Sequence, residues 1–354
     1  MYSLSDYNYY LPEDLIAQKP AENRDRSSLM YFNRKTGELS HHRFDGICEF
    51  LNPGDVLVVN NTEVIPARLV GRKQTGGKVE VLISDYQGGR KTSGKSGNFI
   101  CECIVKASKR TAPGTWLSFA ENVKAEVLNA CNGTCTLKFY VDGDFETSLY
   151  QIGKVPLPPY IKRTDERMSP CDDRISYQTV YARRKGAIAA PTAGLHFTEA
   201  LLNKLRTIGI KIVPLTLHVG YGTFLPVRVD DIRKHDIHCE QISLNRRSAE
   251  AINSARSRGK RVVAVGTTCV RTLEYVSNPQ GVVEAASRQC DLFIYPGYRF
   301  KVVDALITNF HLPKSTLLML VSAFAGRENI LNAYSEAIKK KYRFYSYGDA
   351  MFIC

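Results

Sequence analysis

Residues 186–224 read GAIAAPTAGLHFTEALLNKLRTIGIKIVPLTLHVGYGTF, in which two polar loops enclose one short helix and one apolar strand. Thr198 is a favourable helix N-cap, and Gly209 is a typical stop for the leucine-rich helix between them. A helix that leads directly into an apolar strand is typical of an α/β fold. The two loops contain glycine, threonine and histidine, including His196 and His218. Glycine lets a ligand approach the backbone and histidine changes its charge near neutral pH, so this stretch predicts a small-molecule site.

The alternation of helix and strand continues to the C terminus and predicts a mostly parallel sheet covered by helices. An earlier apolar strand at 56–59 is followed directly by Asn60 and Asn61. Polar residues at the carboxyl end of a strand are where open α/β sheets bind ligands, although a plain asparagine-rich turn explains these two slightly better. The other predicted elements are helices at 248–257 and 328–340 and strands at 210–217, 261–265, 292–295, 305–307 and 342–347.

Residues 66–154 have a different pattern, with short alternating segments separated by turn signals and no helical period. This pattern predicts a small antiparallel β-barrel inserted into the α/β domain. The α/β domain would then comprise residues 1–65 and 155–354, from both ends of the chain. The predicted barrel strands are 78–83, 99–105, 115–119, 123–128 and 135–141.

The chain has 354 residues and a net charge of +13, which favours an anionic partner such as a nucleic acid. A basic surface also keeps a protein soluble, so the charge alone does not choose between these explanations. The cations on or beside the predicted barrel could bind a phosphate backbone. A charged rim that protects the edges of the sheet explains them about as well. The candidate RNA contacts are Arg68, Arg72, Lys73, Lys109 and Arg110.

The sequence predicts a cytoplasmic protein that does not cross a membrane. Its longest apolar run, 317–324, is too short for a bilayer, and its first residues lack a secretory pattern. Ten scattered cysteines are expected to stay reduced. Cys101, Cys103, Cys131 and Cys135 have the number of thiols that zinc requires, but cysteine in strand-like segments more often packs as a small apolar residue. We therefore expect no metal site.

Gly266, Thr267 and Thr268 stand between a predicted strand and a predicted helix. Free N–H groups at a helix start, together with two hydroxyls, suit an anion or a ribose. Arg271, one turn later, could bind a carboxylate through both ends of its guanidinium. A capped turn without a ligand is the simpler alternative.

Several motifs that are typical of other enzyme classes are absent from the sequence. There is no G-x-G-x-x-G after a strand and no P-loop lysine, which argues against dinucleotide and nucleoside-triphosphate enzymes. The chain also lacks the G-x-S-x-G motif of serine hydrolases. His235, His238 and Glu240 are weak candidates for a metal site, because they lack the H-E-x-x-H pattern.

A series of short motifs extends along nearly the whole chain. In order, they are LPxxLIAQ (11–18), PGD (53–55), NNT (60–62), VIPAR (64–68), YQTVY (177–181), APTAGLHF (190–197), TLHVG (216–220), GTF (222–224), GTT (266–268), TNFHLP (308–313) and YGDAM (347–351). Together these motifs resemble the S-adenosylmethionine:tRNA ribosyltransferase-isomerase family of queuosine biosynthesis.

The resemblance implies an α/β domain with an inserted barrel, in agreement with the patterns above. It also implies transfer of the ribosyl part of S-adenosylmethionine to 7-aminomethyl-7-deazaguanine at the wobble position of tRNA. The products would be epoxyqueuosine-tRNA, adenine and methionine. S-adenosylmethionine would be consumed as a substrate, with no metal or other cofactor. The expected partners are S-adenosylmethionine and tRNA with a GUN-type anticodon, and the expected state is a cytoplasmic monomer.

The resemblance further suggests roles for individual residues. His196 or His218 would be the base that removes a 5′ proton, because the neighbouring sulfonium makes that C–H acidic. His311 or Asp349 would assist the departure of adenine or the attack of the amine. The residues expected to bind the substrate are Thr192, Gly194, Gly220, Thr223, Gly266, Thr267, Thr268, Arg271, Asn309, Asn60 and Asn61.

Three positions depart from the family pattern, since Ser28, Glu63 and Ser176 stand where arginine is usual. These departures support one alternative, a non-catalytic RNA-binding relative. A second alternative is another S-adenosylmethionine-dependent tRNA enzyme, such as a methyltransferase, which would leave S-adenosylhomocysteine.

Overall fold

The computed structural model describes residues 1–92, 98–131, 133–163 and 169–354. It contains a nine-stranded sheet covered by helices, a closed six-stranded barrel and a small two-stranded sheet. The strands are β1 (Ser28–Phe32), β2 (Leu39–Arg43), β3 (Val56–Asn60), β4 (Thr62–Val64), β5 (Arg68–Lys73), β6 (Lys78–Ile83), β7 (Asn98–Ala107), β8 (Trp116–Ala120), β9 (Val123–Cys131), β10 (Thr134–Val141), β11 (Arg184–Ala187), β12 (Lys211–Leu217), β13 (Glu240–Leu244), β14 (Val262–Val265), β15 (Ala286–Cys290), β16 (Ala305–Asn309) and β17 (Ala350–Ile353). The α-helices are α1 (Tyr86–Thr92), α2 (Phe145–Ile152), α3 (Asp173–Ser176), α4 (Glu199–Thr207), α5 (Arg246–Ser257), α6 (Thr267–Tyr275), α7 (Thr316–Ala325) and α8 (Arg327–Lys339).

The large sheet is mixed, with strand order β15-β13-β12-β3-β14-β16-β17-β1-β2. Its central strands β12, β3, β14 and β16 pair in parallel, and β1 pairs in parallel with β17. The other pairings are antiparallel. Because the central strands run in one direction, their carboxyl ends meet at one edge, which is where open α/β sheets place ligands.

The central strands are apolar throughout because both of their faces are covered. In β3, Val56 and Val58 belong to one core, whereas Leu57 and Val59 belong to a second core on the opposite face. Helices α5 to α8 contribute to the first core. Helix α4 covers the other face through side chains such as Leu202. The alternation of side chains along a strand explains why one strand feeds two cores.

The barrel closes in the order β10-β7-β6-β5-β8-β9 and has its own core. Val81 and Phe139 lie in that core, and Phe145 of helix α2 packs against it. The chain enters and leaves the barrel at one place, because Arg68 and Lys154 exchange two backbone hydrogen bonds of 3.1 and 2.8 Å. The predicted combination of an α/β sheet and an inserted antiparallel barrel is confirmed.

Most predicted elements are present with small shifts at their ends. Helix α5 begins two residues before the predicted 248, because Asn245 is its N-cap and accepts a hydrogen bond from the Ser248 amide. Among the described residues, no helix combines the length and the apolar character needed to cross a bilayer.

The predicted strand at 342–347 is wrong. Tyr345 lies within this range and has a positive φ angle of 71°, which a strand does not allow. Lys341, directly before the range, also has a positive φ angle, of 57°. The segment instead turns so that Phe344 packs against other aromatic rings in the first core. Its aromatic residues have the spacing that is typical of a strand, but a turn buries them. The last strand of the chain is β17.

The predicted strand at 292–295 is also wrong, since β15 ends earlier, at Cys290. The carbonyl of Leu292 accepts a hydrogen bond of 3.0 Å from Arg271 Nε, so a side chain satisfies this backbone group instead of a neighbouring strand. The apolar sequence of 292–295 favours a strand, but a strand also needs a neighbouring strand to pair with, and a local pattern does not specify one.

Candidate active site

Two adjoining cavities lie near the carboxyl ends of the central strands. The smaller, of about 370 Å³, is called the inner cavity and lies within the α/β part. The larger, of about 620 Å³, is called the barrel cleft and lies between the barrel and the α/β part. Thr223, Glu240 and Arg271 line both cavities, so these residues form a shared wall.

The inner cavity is formed where two parallel strands end. Gly266 joins β14 to helix α6 with a φ of 86°, a conformation that favours glycine. Helix α6 then begins with Thr267 at the cavity wall. Asn309 is the last residue of β16, and His311 lies in the loop that follows it. The turn 192–196 supplies Thr192. Most of the predicted substrate contacts therefore line this cavity, namely Thr192, Thr223, Gly266, Thr267, Thr268, Arg271 and Asn309. His311, predicted as a catalytic residue, lines it as well.

Two buried oxygens at this cavity have no hydrogen-bond partner among the described residues. They are Asn309 Oδ1 and Thr268 Oγ1. Buried polar groups in native proteins are almost always paired, because an unpaired one costs about 1–3 kcal/mol. The pair therefore marks a place where a ligand can supply hydrogen bonds.

His311 is the histidine of the inner cavity. Its Nε2 lies 2.8 Å from Thr308 Oγ1, and its ring is buried. Burial disfavours the charged form and lowers the pKa of His311 to about 3. At neutral pH the ring is therefore uncharged and can donate or accept a hydrogen bond.

His196 lies beneath this site and does not line either cavity. Its Nδ1 is 2.7 Å from Ser27 Oγ and its Nε2 is 3.2 Å from the Asn309 amide nitrogen. Phe44 stacks on the ring with centroids 4.9 Å apart. Burial lowers the pKa of His196 to about 3. Both ring nitrogens thus have protein partners, and the geometry makes His196 a support for Asn309.

His218 lies at the barrel cleft. Its Nδ1 is 2.8 Å from Thr62 Oγ1, and its Nε2 is 3.4 Å from the amide nitrogen of Gln87, which belongs to the barrel side. Burial first, and the charge of Arg184 second, lower the pKa of His218 to about 4. A Cβ at Gly186 would come within 2.4 Å of Gln87 Nε2, so glycine there allows this approach.

Glu240 and Arg271 form a buried ion pair in the shared wall. Glu240 Oε1 also accepts hydrogen bonds from the Gly220 amide, at 3.0 Å, and from Thr223 Oγ1, at 3.3 Å. The carboxylate that Arg271 binds is thus one from the protein itself. From the sequence, Glu240 was predicted only as a weak metal candidate, together with His235 and His238. No local pattern around Glu240 in the sequence indicates this pairing with a residue 31 positions away.

Other predicted site residues have structural roles in this fold. Asp349 is buried and accepts hydrogen bonds from the backbone amides of Ser28 and Arg343 at 2.9 and 2.8 Å. The Asn60 side chain bridges to both backbone groups of Leu217, at 2.9 and 3.0 Å.

Gly194 and Asn61 also lie outside the two cavities. A Cβ at Gly194 would come within 2.0 Å of Tyr181 Oη, so this glycine permits close packing. Asn61 accepts a hydrogen bond of 2.7 Å from Thr216 Oγ1. Asn61 instead lines a third cavity, described below.

Most of the predicted RNA-binding cations are at the barrel end remote from the site. Arg68 lies at the junction, paired with Glu80 at 2.8 Å. Lys73 ends β5, five residues and roughly 17 Å farther along the strand. Its Nζ donates to the carbonyls of Lys109 and Arg110, at 2.6 and 3.2 Å. Arg72 neighbours this group and donates to the Gly76 carbonyl.

No group of three or more histidine, cysteine, aspartate or glutamate side chains is placed to hold a metal ion, within the part of the chain that the structure describes. Cys101, Cys103 and Cys135 pack in the barrel core, whereas Cys131 is exposed. Glu240, the third member of the weak histidine group, is already paired with Arg271.

The three positions that depart from the family pattern are outside both cavities. Glu63 accepts a hydrogen bond of 2.6 Å from Tyr150, which joins β4 to helix α2. Ser28 donates a hydrogen bond from its backbone amide to Asp349, and any non-proline residue at this position could donate the same bond. Ser176 ends the short helix α3 and is half-buried.

Comparisons with known proteins agree with this architecture. A family profile described as queuosine biosynthesis protein matches residues 4–353. A relative from Geotalea uraniireducens (strain Rf4), named S-adenosylmethionine:tRNA ribosyltransferase-isomerase, is 51% identical over 351 residues, covering 99% of each chain. A crystal structure of S-adenosylmethionine tRNA ribosyltransferase from Thermotoga maritima is 37% identical and covers 99% of this chain and 100% of its own, with a TM-score of 0.55. The profile and the relative extend over essentially the whole chain, and the chain therefore belongs to the queuosine biosynthesis protein family.

Proposed function

We propose that this protein is an S-adenosylmethionine:tRNA ribosyltransferase-isomerase. It transfers the ribosyl part of S-adenosylmethionine to 7-aminomethyl-7-deazaguanine at the wobble position and releases adenine and methionine. The relative that is 51% identical to this chain has this name, and the two sequences align over nearly their full lengths. Its substrates are tRNAs with GUN-type anticodons, and it acts as a monomer in the cytoplasm. The donor is consumed, so the reaction needs no further cofactor.

The observation that carries the proposal is the composition of the inner cavity. Its volume of about 370 Å³ is within the usual range for small-molecule sites. Apolar side chains such as Val219 and Leu312 line it together with threonine hydroxyls. The unpaired oxygens of Asn309 and Thr268 can each accept a hydrogen bond. An adenine amino group and ribose hydroxyls are donors of this kind, so we place S-adenosylmethionine in the inner cavity.

The barrel cleft suits the acceptor nucleotide. A base must leave its stack before an enzyme can react with it, and it then needs a separate pocket. The cleft has that space and lies directly against the inner cavity across the shared wall. His218 lies at the cleft, and its neighbour Val219 lines both cavities. A donor in one cavity and an acceptor in the other would therefore meet beside His218.

This arrangement favours His218 over His196 as the base. The sulfonium makes the 5′ C–H of the donor acidic, and a neutral imidazole can accept the proton. His196 lines neither cavity, whereas His218 lines the barrel cleft, and its Nε2 contact with Gln87 is long, at 3.4 Å. His311 is the better candidate for assisting adenine or the amine, because it lines the inner cavity and Asp349 does not.

One assay tests the proposal and its alternatives together. The protein is incubated with S-adenosylmethionine and a tRNA that carries 7-aminomethyl-7-deazaguanine, and the products are separated. Free adenine and methionine are the expected result. S-adenosylhomocysteine would instead indicate a methyltransferase, and bound tRNA without any donor breakdown would indicate a non-catalytic binder. The matched control is the same tRNA with an ordinary guanine at the wobble position.

A further inference from the structure

We propose that a backbone phosphate of the RNA substrate binds in a groove beside His218, held by Arg183 and Arg184. This groove, of about 460 Å³, is called the arginine groove. The identity of the partner as tRNA rests on the proposed function. The residues that line the groove and bear on the argument are Asn61, Gln87, Arg183, Arg184, His218 and Asn245.

The backbone fixes the two arginines in place. The amides of Arg183 and Arg184 both donate to the carbonyl of Asn61, at 2.9 and 3.1 Å. Arg184 then begins β11, which pairs in parallel with β4. Both arginines are exposed. Neither side chain has an ion-pair or hydrogen-bond partner within residues 1–92, 98–131, 133–163 and 169–354, whereas Lys185 pairs with Glu146 at 2.5 Å. The guanidinium groups are therefore available, and this group binds phosphate through paired N–H donors.

The start of helix α5 adds positive charge to the same groove. Asn245, its N-cap, lines the groove. The first turn contains no acidic residue and instead has Arg246 and Arg247, of which Arg246 pairs with Glu250 at 2.7 Å. A helix N-terminus is already positive, so arginine there raises the local potential rather than lowering it. This arrangement opposes helix stability and favours an external anion.

The groove also has the right neighbours for the acceptor nucleotide. His218 and Gln87 line both the arginine groove and the barrel cleft, so the two cavities meet at these side chains. A nucleotide with its base in the cleft would place a phosphate near the groove. The charge of Arg184 contributes to the low pKa of His218. A phosphate on Arg184 would oppose that effect and make His218 a stronger base when RNA is bound.

The alternative RNA contacts are the cations at the far end of the barrel, near Lys73. Lys109 and Arg110 are exposed there, and like Arg183 and Arg184 they are adjacent in sequence. Loss of either pair removes two positive charges. The two double variants therefore have the same net charge and differ only in where the charges are lost.

The experiment compares R183A/R184A with K109A/R110A. An anticodon stem-loop with 7-aminomethyl-7-deazaguanine at the wobble position is titrated at several salt concentrations, and the Kd is measured by fluorescence anisotropy. We expect R183A/R184A to weaken binding at least roughly tenfold at low salt and to reduce the slope of log K against log salt by about 0.7–0.9, the value for one phosphate. K109A/R110A should change the Kd less than roughly threefold. The Kd for S-adenosylmethionine, measured by calorimetry, should be unchanged in both variants, which shows that they are folded.

The outcomes separate this inference from the proposed function. Equal Kd values and slopes for wild type and R183A/R184A would overturn the proposal that the arginine groove binds a phosphate of the RNA, even if wild type releases adenine. A larger loss in K109A/R110A would place the RNA on the barrel instead. Failure of the wild type to bind the stem-loop would also overturn the inference. If wild type binds the stem-loop through the groove but releases no adenine, the groove stands and the proposed reaction fails.

Discussion

Arg271 and Glu240 form a buried ion pair in the wall that separates the inner cavity from the barrel cleft. The two side chains are 9% and 5% exposed, so water compensates neither charge well. The pair joins helix α6 to strand β13 and holds Gly220 and Thr223 through hydrogen bonds to Glu240. A single contact thus connects the two proposed substrate positions.

Loss of one member of this pair should be more harmful than loss of both. Arg271→Met leaves the Glu240 carboxylate buried without its cation, which costs about 3–5 kcal/mol of the free energy of unfolding. The double variant R271M/E240L should recover most of that loss, because two apolar groups replace two charges. Chemical denaturation measures both values. Equal stabilities for the single and double variants would contradict the prediction, because they would show that the unpaired, buried Glu240 carboxylate does not lower the free energy of unfolding.

Thr268→Val should have opposite effects on stability and on donor binding. The variant removes a buried hydroxyl that has no hydrogen-bond partner in the described part of the chain, so the free protein should be unchanged or more stable by about 1 kcal/mol. Binding of S-adenosylmethionine should weaken by about 1 kcal/mol, or roughly fivefold, because the bound donor loses a hydrogen bond. Thermal unfolding without donor and calorimetry with donor measure the two effects. Loss of stability with unchanged donor affinity would contradict a ligand role for this hydroxyl.

His218 and His311 should affect different steps. His218→Asn should lower adenine release by roughly 10²–10⁴-fold, the usual contribution of a general base, without changing the affinity for S-adenosylmethionine. His311→Asn should weaken donor binding as well, because His311 lines the inner cavity. Calorimetry gives the donor Kd, and single-turnover release of adenine gives the rate. The assignment fails if the His218 variant turns over at the normal rate.

The buried histidines should make the protein less stable in acid. The pKa of His311 is about 3 in the folded protein, well below the value of about 6.5 of a free histidine. Above pH 6.5 the ring is neutral in both states, but as the pH falls below 6.5 only the unfolded chain takes up the proton, so stability is lost. At pH 4–6 this difference adds about 1.4 kcal/mol per pH unit to the slope of unfolding free energy.

The variant His311→Asn should remove that part of the slope. Denaturation curves at several pH values between 4 and 6 measure it against the wild type. Equal slopes for wild type and the His311 variant would show that this ring is protonated in the folded state.

Gly194→Ala should destabilise the protein by steric conflict alone. The added Cβ would lie 2.0 Å from Tyr181 Oη, and overpacking of this kind costs about 1–3 kcal/mol. The double variant G194A/Y181F removes the clashing oxygen and should recover part of the loss, although Thr179 Cγ2 remains at 2.8 Å. The free energy of unfolding of the two variants tests this. A G194A protein as stable as wild type would show that the neighbouring chain adjusts freely.

The fold was largely predictable because its signals are local. The apolar runs of β3 and β14 indicated strands buried on both faces, and the turn-separated alternating segments of 66–154 indicated the barrel. The loops around His196, His218 and His311 were recognisable as site segments from glycine, threonine and histidine. The strands expected at 292–295 and 342–347 failed because a local apolar pattern does not specify a pairing partner.

The functions of single side chains depended on contacts between distant parts of the chain. His196 and His218 have similar sequence surroundings, yet His196 is enclosed by Ser27 and Asn309, which are 169 and 113 residues away in sequence. His218 instead faces the barrel through Gln87.

The sequence by itself determined the α/β fold, the inserted barrel and the loops that form the site, because hydrophobic periodicity and turn residues act over short distances along the chain. The tertiary structure alone decided that Arg271 is neutralised by Glu240 and that Arg183 and Arg184 are left without a side-chain partner among the described residues. Ion pairing and burial depend on which remote residues the fold brings within a few ångströms, and no local pattern contains that information.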